Sequence, residues 1–66
     1  MKFTIELEQE TDGRWIAEIL EISGCMVYGA TQQEAIYNVK ALGLKIIAEQ
    51  IKEEKIEVTD LSFVLA

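Results

Sequence analysis

Phe3-Thr4-Ile5-Glu6-Leu7-Glu8-Gln9-Glu10-Thr11-Asp12-Gly13-Arg14-Trp15-Ile16-Ala17-Glu18-Ile19 is the stretch whose reading decides the fold. Apolar and polar residues alternate from Lys2 to Glu10, with Phe3, Ile5 and Leu7 on one side and Lys2, Thr4, Glu6, Glu8 and Glu10 on the other. That is the period of a half-buried strand. Residues 14 to 20 repeat the pattern, with Trp15, Ala17 and Ile19 on one face and Ile16, Glu18 and Leu20 on the other. The second face is mixed and not plainly polar.

Facing residues of an antiparallel pair share a side of the sheet, so parity tests the turn between the two strands. A two-residue Asp12-Gly13 loop sets Leu7 opposite Glu18 and mixes the wet and dry sides. A three-residue loop Thr11-Asp12-Gly13, with Gly13 left-handed, pairs Glu10 with Arg14, Leu7 with Ala17 and Ile5 with Ile19. This is the expected register. It places Glu6 opposite Glu18, a like-charge pair that a cation from another chain would relieve.

Outward from this hairpin, Cys25 to Tyr28 reads as a third strand ended by Gly29, completing a meander. Thr31-Gln32-Gln33-Glu34 has the form of a capping box and starts a helix, expected from about Gln32 to Glu53. Its sheet-facing stripe is read as Ala35, Ile36, Val39, Leu42, Gly43, Ile46, Ile47 and Ile51. Gly43 costs about 1 kcal/mol against Ala inside a helix, and marks a close approach to the sheet or to Trp15. After the charged run Lys52 to Lys55, residues 56 to 58 and 61 to 65 read as extended, and the latter supply a closing strand at the sheet edge. The expected fold class is therefore α+β, β-β-β-α-β, an antiparallel sheet with one helix packed on one face, in a single domain over residues 1–66.

Composition removes most catalytic chemistry. There is no His, so the commonest general base, the Ser-His-Asp and Cys-His arrangements and imidazole metal ligation are all excluded. Cys25 is the single cysteine and has no base nearby in sequence; it reads as a small buried hydrophobe. Glu6, Glu8 and Glu10 line one strand face, but a solvated sheet face produces the same pattern, and no metal or cofactor is expected. No glycine spacing fits a phosphate loop. With 12 acidic and 6 basic residues, net charge −6, the chain repels phosphate and anionic lipid and attracts a basic partner. No apolar run approaches the ~20 residues of a membrane span, and Met1 leads straight into a strand, so a soluble, cytoplasmic protein is expected.

The anomaly is the second face of the sheet, where Ile16, Leu20, Met26 and Tyr28 stand beside Glu6, Glu8 and Glu18 while the one helix is committed to the other side. Apolar side chains rimmed by charge mark an interaction patch, and these seven residues are the candidate protein interface. Half of the residues are apolar, while a chain of this size buries only about 60% of its unfolded surface. Association into a homo-oligomer, a dimer or tetramer, is the expected remedy.

Phe3 to Glu8, Asp12-Gly13 followed by Trp15-Ile16-Ala17-Glu18-Ile19, Gly24-Cys25, Gly29-Ala30-Thr31, Glu34-Ala35 and Asn38, in this order, resemble the N-terminal domain of HicB-like antitoxins. The resemblance spans about the first two-thirds of the chain. It implies a degraded ribonuclease-H-like fold without the catalytic acidic set. It also implies a non-enzymatic protein-binding role, neutralising a small basic HicA-type mRNA interferase by covering its active site, together with self-association. Leu20 and Ser23 stand where the family usually has prolines, and Ala30 where an acidic residue is common. Residues 54 to 66 are too few for the helix-turn-helix domain of longer members, so a short form that does not bind DNA is expected. The alternative is an orphan structural homo-oligomer with no toxin partner.

Overall fold

The computed structural model describes residues 1–66. Four strands and one helix follow in the order β1 (Lys2–Gln9), β2 (Trp15–Ile19), β3 (Met26–Gly29), α1 (Gln32–Glu54) and β4 (Ser62–Leu65). The sheet order is β3-β2-β1-β4, with α1 packed on one face. This is the expected β-β-β-α-β architecture.

The first hairpin has the register that parity requires. Ile5 pairs with Ile19, Glu6 with Glu18 and Leu7 with Ala17. The loop closes through the Glu10 amide on the Arg14 carbonyl at 2.7 Å and the Gly13 amide on the Glu10 carbonyl at 3.0 Å, with Gly13 at φ 94°. A left-handed φ of this kind is open to glycine at little steric cost. The Asp12 carboxylate accepts from the Arg14 amide at 3.0 Å and from its guanidinium at 2.8 Å.

β4 differs from the expected sheet in direction. It pairs with β1 in parallel, Phe3 beside Phe63 and Thr4 beside Val64. The reason is the path of the chain: a single helix carries it back along the sheet, so the strand after α1 runs the same way as the strand before it. β3 is two antiparallel turns from β1 and shares its direction. Residues 56 to 58 form part of the connection and are not a strand.

Thr31 caps the helix as its box predicts, accepting from the Glu34 amide at 3.1 Å, while the Glu34 carboxylate accepts from the Ala30 amide at 3.1 Å. A capping box places this second bond on the Thr31 amide; here it falls one residue earlier, on Ala30. The sheet-facing side of α1 buries Ala35, Ile36, Val39, Gly43 and Ile47. These meet Phe3, Ile5, Ala17, Ile19 and Cys25 in one apolar core. Ile51, assigned from sequence to the same stripe, lies instead on the exposed side of the helix. Two glycines permit the contact between layers. A β-carbon on Gly43 would meet the Ile19 side chain, and one on Gly29 would run into the backbone of Ala35.

Candidate functional site

The sheet's outer face is built by three strands whose alternation sends every second residue away from α1. The register sets its rows. Glu6, Glu18 and Met26 stand side by side across β1, β2 and β3, and Glu8, Ile16 and Tyr28 form the next row. Leu20 continues the β2 alternation beside Thr4, whose carbonyl accepts from the Leu20 amide at 3.0 Å. Val64 flanks Thr4 from the other side. All seven residues named from sequence thus lie on one surface.

Five of them, Glu6, Glu8, Ile16, Glu18 and Met26, line a shallow depression of about 180 Å³. Tyr28 adjoins Ile16, and Leu20 lies at the other end of β2. No segment of the chain covers this face: Leu20, Met26 and Tyr28 are 49%, 47% and 46% exposed. Soluble proteins expose single apolar residues freely. Here they are contiguous, and three carboxylates sit among them.

Sequence reasoning missed the margin of the patch. The Arg14 guanidinium lies over the Tyr28 ring, 4.3 Å from its centroid, and the Tyr28 hydroxyl donates to Glu10 at 3.4 Å. Arg14 thereby places one cation at an end of an otherwise acidic surface. Pairing Glu10 with Arg14 in the register already put this cation beside Tyr28, which was the available signal. Val64 adds a further exposed apolar side chain on the β4 side.

Nothing on this face makes a catalytic arrangement. Cys25 lies on the opposite, core-facing side, fully buried, and burial pushes its thiol pKa up, which disfavours the thiolate. The acidic side chains form no cluster able to hold a metal ion. A larger open cleft of about 510 Å³ lies between the second half of α1 and the start of β1, lined by Ile22, Ile46 and Ile47 among others. It holds Lys2 and Glu21, which form no salt bridge, the Glu21 carboxylate being bonded to Thr4. No helix of the chain is long and apolar enough to cross a membrane.

The geometry defines a small α+β domain with one helix-covered sheet face and one uncovered, acidic and apolar face. The UPF0150 protein Ta0767 of Thermoplasma acidophilum is similar to this chain, 28% identical over 53 residues that cover 80% of this chain and 75% of its own length. No family model matches the chain, and no solved structure matches it at a significant level.

Proposed function

We propose that this chain is a non-catalytic protein-binding module of the antitoxin type, HicB-like, which covers a small basic mRNA interferase of the HicA type with the outer face of its sheet. The observation that carries the reading is the uncovered row structure Glu6-Glu18-Met26 and Glu8-Ile16-Tyr28, extended by Leu20. Aromatic, Met and aliphatic anchors supply the desolvated centre of such an interface. The carboxylates speed encounter with a cationic partner and fix its orientation. Similarity to a UPF0150 protein supports the reading, UPF0150 being a HicB-like family. So does the ordered residue pattern from Phe3 to Asn38. Action in the cytoplasm follows from the class of target.

Inhibition in this reading is steric and electrostatic. A toxin that binds RNA through basic residues offers those residues to Glu6, Glu8 and Glu18, and the RNA is then excluded. No proton transfer by this chain is required.

Titration calorimetry with the product of an adjacent gene encoding a small basic ribonuclease tests this directly. The expected result is binding with loss of ribonuclease activity, and a Leu20→Glu variant that keeps its fold but binds at least about tenfold more weakly, as loss of an interface anchor does. A toxin that neither binds nor is inhibited sinks the proposal.

A further inference from the structure

All eleven buried residues lie between Phe3 and Ile47, so the core is complete before β4 and its connection are reached. α1 packs on β2 and β3, and β4, at the sheet edge beyond β1, is held from one side. Within β4 only Phe63 is half-buried, its ring 5.9 Å from that of Phe3 and the Lys40 ammonium 5.5 Å from its centroid. The connection, residues 55–61, is neither helix nor strand, and its Ile56, Val58 and Leu61 are half-buried. The polar ties differ too. Elsewhere side chains lock one element to the next: Glu21 to the Thr4 amide and hydroxyl, and Asn38 to the Tyr28 carbonyl. From Lys55 to Ala66 no side chain makes a hydrogen bond or salt bridge. Main-chain bonds hold the segment, among them the Ser62 amide on the Met1 carbonyl at 3.0 Å and the Ala66 amide on the Ile5 carbonyl at 2.9 Å. Few buried apolar contacts and exposed backbone bonds mark a segment that opens without global unfolding.

We propose that residues 55–66 form a releasable strap: they leave β1 as one unit, hinged at the end of α1, while the meander β1-β2-β3 and the helix stay folded. The part that stays keeps a core of its own, Ile5, Ala17 and Ile19 against Ala35, Val39 and Ile47. The strap is a guard. Closed, it covers the Phe3 ring and occupies the side of β1 that faces away from β2. Open, it bares both to an extended backbone able to pair there. Leu20, Met26 and Tyr28 lie outside the strap, so the outer sheet face survives the opening and loses only Val64 at its margin.

The hydrogen-bond ladder gives this motion a signature. Met1, Phe3 and Ile5 turn their backbone groups to β4, as the Met1 and Ile5 carbonyls show, whereas the Thr4 carbonyl faces the other way and accepts from Leu20. Release therefore frees the amides of Phe3 and Ile5 together with those of Ser62 and Val64. The Ile19 amide, on the Cys25 carbonyl at 3.0 Å, and the Val39 amide, inside α1, stay bonded.

Native-state amide hydrogen exchange of the full chain, followed by NMR at rising sub-denaturing urea, tests the proposal. Phe3, Ile5, Ser62 and Val64 are expected to share one protection factor, at least about tenfold below that of Ile19 and Val39. Their urea dependence should be shallower, because less surface is exposed on release. Ala35→Gly, set against β3 at the far edge of the sheet, should lower the protection of Ile19 and Val39 and leave the four strap amides as they were. Phe63→Ala should bring those four close to unprotected exchange while Ile19 and Val39 remain protected. Equal protection and equal urea slopes at all six sites overturn the strap and make β4 part of one cooperative unit. Rapid exchange at Ser62 and Val64 with Phe3 and Ile5 as protected as Ile19 overturns it as well, in favour of local fraying. A Phe63→Ala chain that unfolds altogether does the same, since the remainder then has no stability of its own.

Discussion

A β-carbon at position 43 would stand 2.5 Å from the δ-methyl of Ile19, which has no exposed surface. The helix axis is held to the sheet at a distance that only a missing side chain allows. Gly43→Ala gains about 1 kcal/mol of helix propensity but forces the Ile19 side chain to move within a packed core, a change that costs about 1–3 kcal/mol. Because the obstacle is the tip of a side chain, a small net destabilisation, about 1 kcal/mol, is expected. Gly29→Ala meets the backbone of Ala35 instead, which cannot swing aside. Its loss should be the larger, about 3 kcal/mol or more. Urea midpoints of the two variants check the ranking.

The two ends of α1 respond in opposite directions. Thr31→Ala removes the acceptor for the Glu34 amide and is expected to cost about 1 kcal/mol. Lys55 closes the helix in the left-handed region, at φ 53° and ψ 40°, where a side chain is strained by about 1–2 kcal/mol and glycine is not. Lys55→Gly should raise stability, by about 1 kcal/mol. Thermal melts of both variants test the pair.

Glu21 ties the end of β2 to β1. Its carboxylate accepts from the Thr4 amide at 2.6 Å and from the Thr4 hydroxyl at 2.7 Å. The amide hydrogen bond, followed by the hydroxyl, lowers its pKa below the ordinary 4.5. A lowered folded-state pKa means that its contribution is fully present above pH 4.5 and fades as pH falls through the lowered value. Asp12, lowered from 3.8 by the Arg14 amide first, behaves in the same way. Glu21→Gln should thus be less stable than wild type at pH 7, with the gap narrowing as pH falls below 4.5. Denaturation midpoints across that range decide it. A gap independent of pH contradicts the assignment.

Cys25 provides a probe of global opening. Its thiol is buried in the core and its pKa is raised, chiefly by desolvation. At pH 8 a thiol reagent should label the native chain at least about a hundredfold more slowly than the urea-unfolded one. Equal rates would mean that the core opens without unfolding.

Much of this fold was legible because single residues forced a choice. Gly13 and the parity of Leu7 and Ala17 left one hairpin register, and Thr31 with Glu34 marked the helix start. The direction of β4 was missed, the sheet being read as antiparallel throughout, although one helix returns the chain to the end it came from and the strand after it must run parallel to β1. The neighbour of β4 could not be read at all, because Leu61 to Leu65 alternate in the same way beside β1 or β3. Only the packed partners, Phe63 against Phe3 with ring centroids 5.9 Å apart, select the edge. The seven outer-face residues were placed correctly because strand alternation is strict. On α1 the apolar residues run round most of the circumference, so Ile51 was attributed to the core stripe although it is exposed.

The parallel pairing of β4 with β1 has a consequence for the order of events during synthesis. Lys2 and its partner Ser62 are separated by almost the whole chain, whereas β1, β2 and β3 need only local turns to assemble. The meander and helix can therefore form while the ribosome still holds the residues of β4. Until those residues emerge, the backbone of β1 presents an open hydrogen-bonding rim with Phe3 beside it, an invitation to the same rim on a neighbouring nascent chain.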